Sequence, residues 1–312
     1  MKTTPVTPAD LAASVLSVPP LARNANFAID KAENAKLLNH LRGGGVRTFM
    51  YGGNANLYNI GVSELRSLSE MLIELSQESD WIIPSVGSDF GKAMDQVAVV
   101  RDLPFPTVML LPHKAQSTPS GVATGIGKLA DAYGKPVIAY VKDEGYVEAA
   151  DMGKLVKDGA VCAIKYAIVR DNPKDDTFLS ELVNCVDRSK IISGIGERPA
   201  IDHLTKFGLQ AFTSGSVCVA PGLSMALLRA IKRNDIKEAE RIRALFIPLE
   251  DQRDKHSPLR VLHDAVRLAD ISNTGPMQPY LTGFSDPVIL SAIEKAAKEL
   301  LTAERSATAK AA

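Results

Sequence analysis

The sequence predicts an α/β chain built as a (β/α)8 barrel with a C-terminal helical extension. Three observations lead there. Short β-branched or apolar runs alternate with longer amphipathic stretches from about residue 12 to about residue 225, the pattern of repeated βαβ units. Eight such runs occur in a chain of 312 residues, which suits a closed barrel better than an open sheet. The fingerprint of the rival doubly wound fold, G-x-G-x-x-G directly after the first strand, is absent.

The predicted strands, in order, are "AASVLSV", "VRTFMYGG", "WIIPSVG", "PTVMLLP", "KPVIAYV", "VCAIKYAIV", "SKIISGIG" and "LQAFTSGSVCVA". They are continuously apolar rather than alternating, as strands covered on both faces must be. The predicted helices between them are "DKAENAKLLNHLRGG", "GVSELRSLSEMLIELSQES", "FGKAMDQVAVVRDL", "PSGVATGIGKLADAYG", "AADMGKLVKDG", "DDTFLSELVNCVD" and "ERPAIDHLTKFG". Several end at a glycine, where a left-handed C-cap is expected. "RGGGVR" follows a helix and precedes a strand, so it reads as a helix stop, and "SGIGE" is a weak match to any nucleotide loop. From "GLSMALLRAIKRNDIKEAERIRALF" onward the pattern is helical. The domains expected are therefore a barrel over 1–225 and a helical extension over 226–312 packed on it.

Composition narrows the function. The chain is 46% hydrophobic and 23% charged, ordinary for a globular protein. Thirty-six basic and thirty-six acidic residues cancel, and no basic stretch is interleaved with aromatics, so neither nucleic acid nor an acidic membrane surface is an expected partner. The N-terminal "MKTTPVTPADLAASVLSVPPLARN" is interrupted by prolines and lacks a signal-peptide core, and no segment has the length of a membrane span. Cys162, Cys185 and Cys218 lie far apart among apolar neighbours and read as structural thiols of a reducing compartment, with neither a disulfide nor zinc. The five histidines are too scattered to suggest a metal site. The expectation is a cytoplasmic protein acting on a small molecule without metal or cofactor.

One residue points to chemistry. Lys165 interrupts the apolar sixth strand, with three hydrophobic residues before it and "YAIV" after it. Desolvation disfavours a buried ammonium, and a neutral amine attacks ketones and aldehydes. The competing reading, a lysine that snorkels or pairs with a carboxylate such as Asp171, is the commoner fate of lysines but fits this apolar setting less well. Imine chemistry also needs a proton relay. Tyr140 ends the preceding strand, and in a parallel barrel neighbouring strands open onto the same mouth. Alone, Tyr140 would read as a rim or core aromatic.

Tyr140 and Lys165, twenty-five positions apart, together with "GGNANLYNIGVSEL" after the second strand and "SGIGERPAI" after the seventh, resemble the dihydrodipicolinate synthase and N-acetylneuraminate lyase family. "VGSDFGKAMDQV", "SGSVCVAPGLSMALLRAIKRNDIKEAERI" and "SPLRVLHDAVRLADISNTGPMQPYL" extend the resemblance over most of the chain. It implies a class I, Schiff-base lyase acting on a 2-oxo acid such as pyruvate, on a (β/α)8 barrel, and a homotetramer or homodimer with interfaces near the third and fourth strands. Lys165 would form the imine and Tyr140 would relay the proton. Gly53 and Asn54 would receive the substrate carboxylate, and Gly194 and Thr213 would line the pocket. The sequence departs from the family where substrates are distinguished. "GGNAN" replaces the family's G-T-T-G-E or G-S-T-G-E, so carboxylate capture would rest on backbone N–H groups and the Asn54 amide. No tyrosine occurs in "VMLLPHKAQS", where His113 is the nearest titratable side chain, and "YVKDEGYVEAADMGKL" supplies Lys142 but no arginine for a second carboxylate. Lysine biosynthesis is thereby disfavoured. Dehydration of a sugar-derived keto acid, and a non-catalytic relative that binds a carbonyl metabolite, are the alternatives.

Overall fold

The computed structural model describes residues 1–311. Nine parallel strands form a nearly closed barrel surrounded by helices, with further helices toward the C-terminus. The strands are β1 (Leu16–Ser17), β2 (Thr48–Met50), β3 (Trp81–Ile83), β4 (Ser85–Val86), β5 (Met109–Leu110), β6 (Val137–Val141), β7 (Val161–Tyr166), β8 (Ile191–Ser193) and β9 (Ala211–Ser214). Around the sheet they run β3-β2-β1-β9-β8-β7-β6-β5-β4. The ninth strand arises at one residue. "WIIPSVG" reads as a single strand, but Pro84 has no N–H to donate and divides it into β3 and β4. The Pro84 carbonyl still accepts from Met109 N at 2.9 Å.

The chain divides into two compact units, one of Met1–Ala13, Ile60–Ile195 and Asp202–Thr213, the other of Ser14–Asn59, Gly196–Ile201 and the residues from Ser214 onward. In the first, the helices are α1 (Pro8–Ala13), α3 (Val62–Leu75), α4 (Phe90–Val100), α5 (Pro119–Tyr133), α6 (Ala149–Lys157), α7 (Thr177–Cys185) and α8 (Ala200–Thr205), the last only in part. Short polar side chains start several of them by accepting from the third residue of the helix: Asp89 from Lys92 N, Thr118 from Gly121 N, and Asp176 from Leu179 N. Helix α5 ends on Gly134 at φ 73°, the left-handed cap expected there.

Strand pairing fixes which side chains share a face. Tyr140 is opposite Lys165, and Lys165 is opposite Ile192; Ile192 in turn pairs with Ala211. Side chains alternate along a strand, so Gly194 and Thr213 share the face of Lys165, while Tyr166 and Ser193 face the helices. That outer face is filled by an aromatic and polar layer. The Tyr166 ring stacks on Phe178 at 6.2 Å, its hydroxyl donates to Asp176, and Ser193 Oγ bonds His203 Nδ1 at 2.8 Å. Burial pushes His203 down to about 4, so it serves as a neutral partner.

In the second unit, β1 and β2 pair in parallel, Leu16 opposite Thr48. Its helices are α2 (Lys31–Gly43), α9 (Pro221–Lys232), α10 (Ile236–Lys255), α11 (Pro258–Leu268) and α12 (Pro287–Ala311). Helix α9 has no side-chain cap of its own. Glu304 of α12 supplies one, accepting from Gly222 N at 2.7 Å and Leu223 N at 2.8 Å.

A pair of buried carboxylates secures the "GIGERP" turn. Glu197, fully buried, accepts from Ser214 Oγ at 2.8 Å and Ser224 Oγ at 2.6 Å. Glu250 accepts from Glu197 N at 3.3 Å, Arg198 N at 2.8 Å and Arg253 Nη1 at 2.9 Å. Gly196, at φ 97°, passes so close to Glu250 that a Cβ there would collide with its carboxylate. Burial, with the neighbouring charge of Glu250 acting in the same direction, pushes Glu197 up to about 8.

The folded state thus holds a proton on Glu197 that the unfolded chain releases near the ordinary glutamate value. This contribution is complete below that value and is lost as pH rises toward 8. Urea unfolding between pH 5 and pH 8 should show the wild type losing stability relative to Glu197→Gln by up to about 1.4 kcal/mol per pH unit. Parallel stability curves for the two proteins would contradict the buried, protonated acid.

Candidate active site

Lys165 is 5% exposed near the C-terminal end of β7, and its Nζ lies 4.2 Å from the centroid of the Tyr140 ring on β6. The register makes this contact unavoidable, since parallel neighbours with the same alternation place opposite residues side by side. The sequence expectation that the two residues meet is thus met by backbone pairing, with the amine over the face of the tyrosine.

Gly194 follows β8 and packs against the end of β7 at Lys165. Its N–H donates to Tyr166 O at 2.6 Å, and a Cβ placed on it would come within 2.8 Å of Ala167 Cβ and 3.0 Å of Lys165 Cγ. Its amide is therefore taken by the strand, and the absence of a side chain leaves room for the lysine stem. Thr213, 1% exposed, lies on β9 with the alternation that puts it on the same face.

Tyr140 also borders a cavity of about 670 Å³ in the same unit. The ends of β4 and β5, the first turn of α4, helix α5 as far as Leu129, and the loops carrying His113 and Tyr146 line it. The loop after β6 is pinned from two sides. Lys114 Nζ donates to Glu144 O at 2.9 Å and Gly145 O at 2.5 Å, and Arg170 pairs with Glu144 at 2.6 Å and with Asp176 at 3.2 Å. This places Tyr146 at the cavity wall, its phenol pushed up by burial and held lower by the His113 main-chain N–H. Tyr146 lies in the quoted "YVKDEGYVEAADMGKL" without an assigned role; a lone aromatic in a polar loop was the signal available for it.

Gly53 and Asn54 belong to the other unit. Asn54 Nδ2 donates to Val18 O at 3.1 Å, which commits one of its two amide hydrogens. Asn56, in the left-handed region at φ 56°, donates to Gln278 O at 3.0 Å and accepts from Asn59 Nδ2 at 2.8 Å. "GGNAN" is accordingly a tight turn in which asparagine is at home, closed by Asn56 N to Gly53 O at 2.9 Å. A Cβ on Gly53 would meet only Tyr58, at an ordinary 3.6 Å, so a larger residue fits there.

Among the described residues, no cluster of three or more histidine, cysteine, aspartate or glutamate side chains is arranged to hold a metal ion, and no helix is long and apolar enough to cross a membrane. No family model matches the sequence, and comparison with curated proteins finds no match. Solved structures do match. The chain superimposes on dihydrodipicolinate synthase from Bacillus clausii with a TM-score of 0.82 and 20% identity, covering 95% of this chain and 99% of that one. The synthase from Oceanobacillus iheyensis gives 0.83 and 20%, covering 94% and 98%, and that from Aquifex aeolicus 0.79 and 16%, covering 94% and 98%. The fold is that of the dihydrodipicolinate synthases.

Gly194→Ala forces a methyl against the Lys165 stem and the strand backbone. Urea unfolding of Gly194→Ala should show a loss of about 1–3 kcal/mol of stability relative to the wild type, the cost of forcing a methyl into a packed strand contact. Unchanged stability would contradict the close approach of Gly194 to β7.

Proposed function

We propose that the chain is a divergent member of the dihydrodipicolinate synthase and N-acetylneuraminate lyase family, a class I lyase that forms a Schiff base between Lys165 and a 2-oxo acid. The observation that carries the reading is the buried Lys165 amine held against Tyr140 at the mouth end of two paired strands. The shared fold supports it.

In this mechanism the unprotonated Lys165 amine adds to the C2 carbonyl, and loss of water gives a protonated imine. The imine draws electrons from C3, so that loss of a C3 proton, or departure of C4 as an aldehyde once its hydroxyl gives up a proton, leaves an enamine. The Tyr140 hydroxyl carries the proton between carbinolamine oxygen, water and substrate, and hydrolysis returns the free lysine. Thr213 contributes its hydroxyl to the pocket, while Gly194 acts through the space it leaves.

Borohydride reduction in the presence of pyruvate, followed by digestion and mass spectrometry, should place a lactyl adduct on the peptide containing Lys165. Lys165→Ala should abolish it, and Tyr140→Phe should keep the ring contact but slow turnover by about 10²–10⁴-fold. An adduct on another lysine, or none with any 2-oxo acid, would overturn the assignment.

A further inference from the structure

The cavity beside Tyr140 bears on what the 2-oxo acid reacts with. At about 670 Å³ it has the volume of pockets that enclose whole ligands, far more than an imine of pyruvate requires. Its inner wall is apolar, formed by residues such as Val86, Leu110, Leu111, Ile126 and Leu129, with Phe90 at the opening. Ser88, His113 and Gln116 also line it, while three further polar side chains of its rim are engaged with nearby backbone. Asp89 accepts from Lys92 N at 2.9 Å, Thr118 accepts from Gly121 N at 3.2 Å, and Ser117 donates to Lys114 O at 2.8 Å. Neither arginine nor lysine lines it. A second carboxylate or a phosphate would enter without an arginine or lysine to meet it, whereas an apolar arm would match the larger, apolar part of the wall.

Resting on the reading of Lys165 as the imine-forming residue, we infer that the carbonyl partner is an aldehyde with a bulky apolar arm, aromatic or branched, which occupies this cavity. The C3 carbon of the enamine forms a bond to the aldehyde carbon, the aldehyde oxygen takes up a proton, and hydrolysis of the imine returns the water lost when it formed. The product is a 4-substituted 4-hydroxy-2-oxo acid, and the reverse reaction cleaves the same C3–C4 bond.

The test pairs pyruvate with benzaldehyde or with D-glyceraldehyde in the wild type and in Gly125→Leu. Gly125 lines the cavity from α5, and a Cβ there meets the Phe90 ring at an ordinary 3.6 Å, so a side chain built from it takes up cavity space beside Phe90 and raises helix propensity. Expected is a wild-type kcat/KM for benzaldehyde about tenfold or more above that for glyceraldehyde. Gly125→Leu should lose about tenfold or more of the benzaldehyde reaction, with trapping of pyruvate on Lys165 unchanged. Intact trapping with glyceraldehyde preferred, or with benzaldehyde indifferent to Gly125→Leu, overturns the inference and leaves the imine reading standing. Failure to trap pyruvate in the wild type overturns both.

Discussion

The structure's chemistry depends on one backbone constraint, the parallel pairing of β6 with β7 that sets Tyr140 opposite Lys165. Neither side chain reaches the other by a flexible loop. Both are fixed by strands buried on their two faces, where a one-residue slip would turn Lys165 into the helical layer and Tyr166 toward the barrel interior. Such a slip would break the Tyr166–Asp176 hydrogen bond and the stacking on Phe178. The outer layer therefore fixes the register that the inner face uses. On the proposed reading, an amine placed this way needs little reorganisation before it reacts.

The surroundings of the site divide their polar groups in a consistent manner. Asp176 simultaneously caps α7, accepts from Tyr166 and pairs with Arg170, whose guanidinium also holds the loop after β6 through Glu144. Lys114 grips the same loop from the other direction. These side chains thus hold the loop that carries Tyr146 to the cavity, whose inner wall is largely apolar. In the second unit the buried Glu197, Glu250 and Arg253 do comparable work for the "GIGERP" turn, with carboxylates in place of water as hydrogen-bond acceptors.

Much of this was legible in the sequence because the barrel's strands are short, apolar and regularly spaced, so periodicity marks them and a lone lysine among them stands out. Lys165 stands out for that reason, Tyr140 follows from its place at the end of the preceding strand, and the structure sets the two side by side. Pro84 was visible, but its effect on hydrogen bonding divided a strand that apolarity alone reads as continuous. Helix α8 is shorter than "ERPAIDHLTKFG" suggests because Glu197 and Arg198 are committed to Glu250. The use of the Gly194 amide and of one Asn54 hydrogen within the fold depends on partners remote in sequence, Tyr166 and Val18, which no local pattern discloses. Tyr146 and the cavity behind it belong to the same class, since a cavity is made by elements that only the fold assembles.

The claim that Lys165 turns a 2-oxo acid into an enamine is tested most directly by proton exchange in the absence of any aldehyde. Pyruvate incubated with the protein in D₂O and followed by proton NMR should lose its methyl signal through enamine formation, at a rate reduced to the background by Lys165→Ala. Loss of the signal at the same rate in Lys165→Ala, or no exchange beyond that of pyruvate alone, would contradict the account.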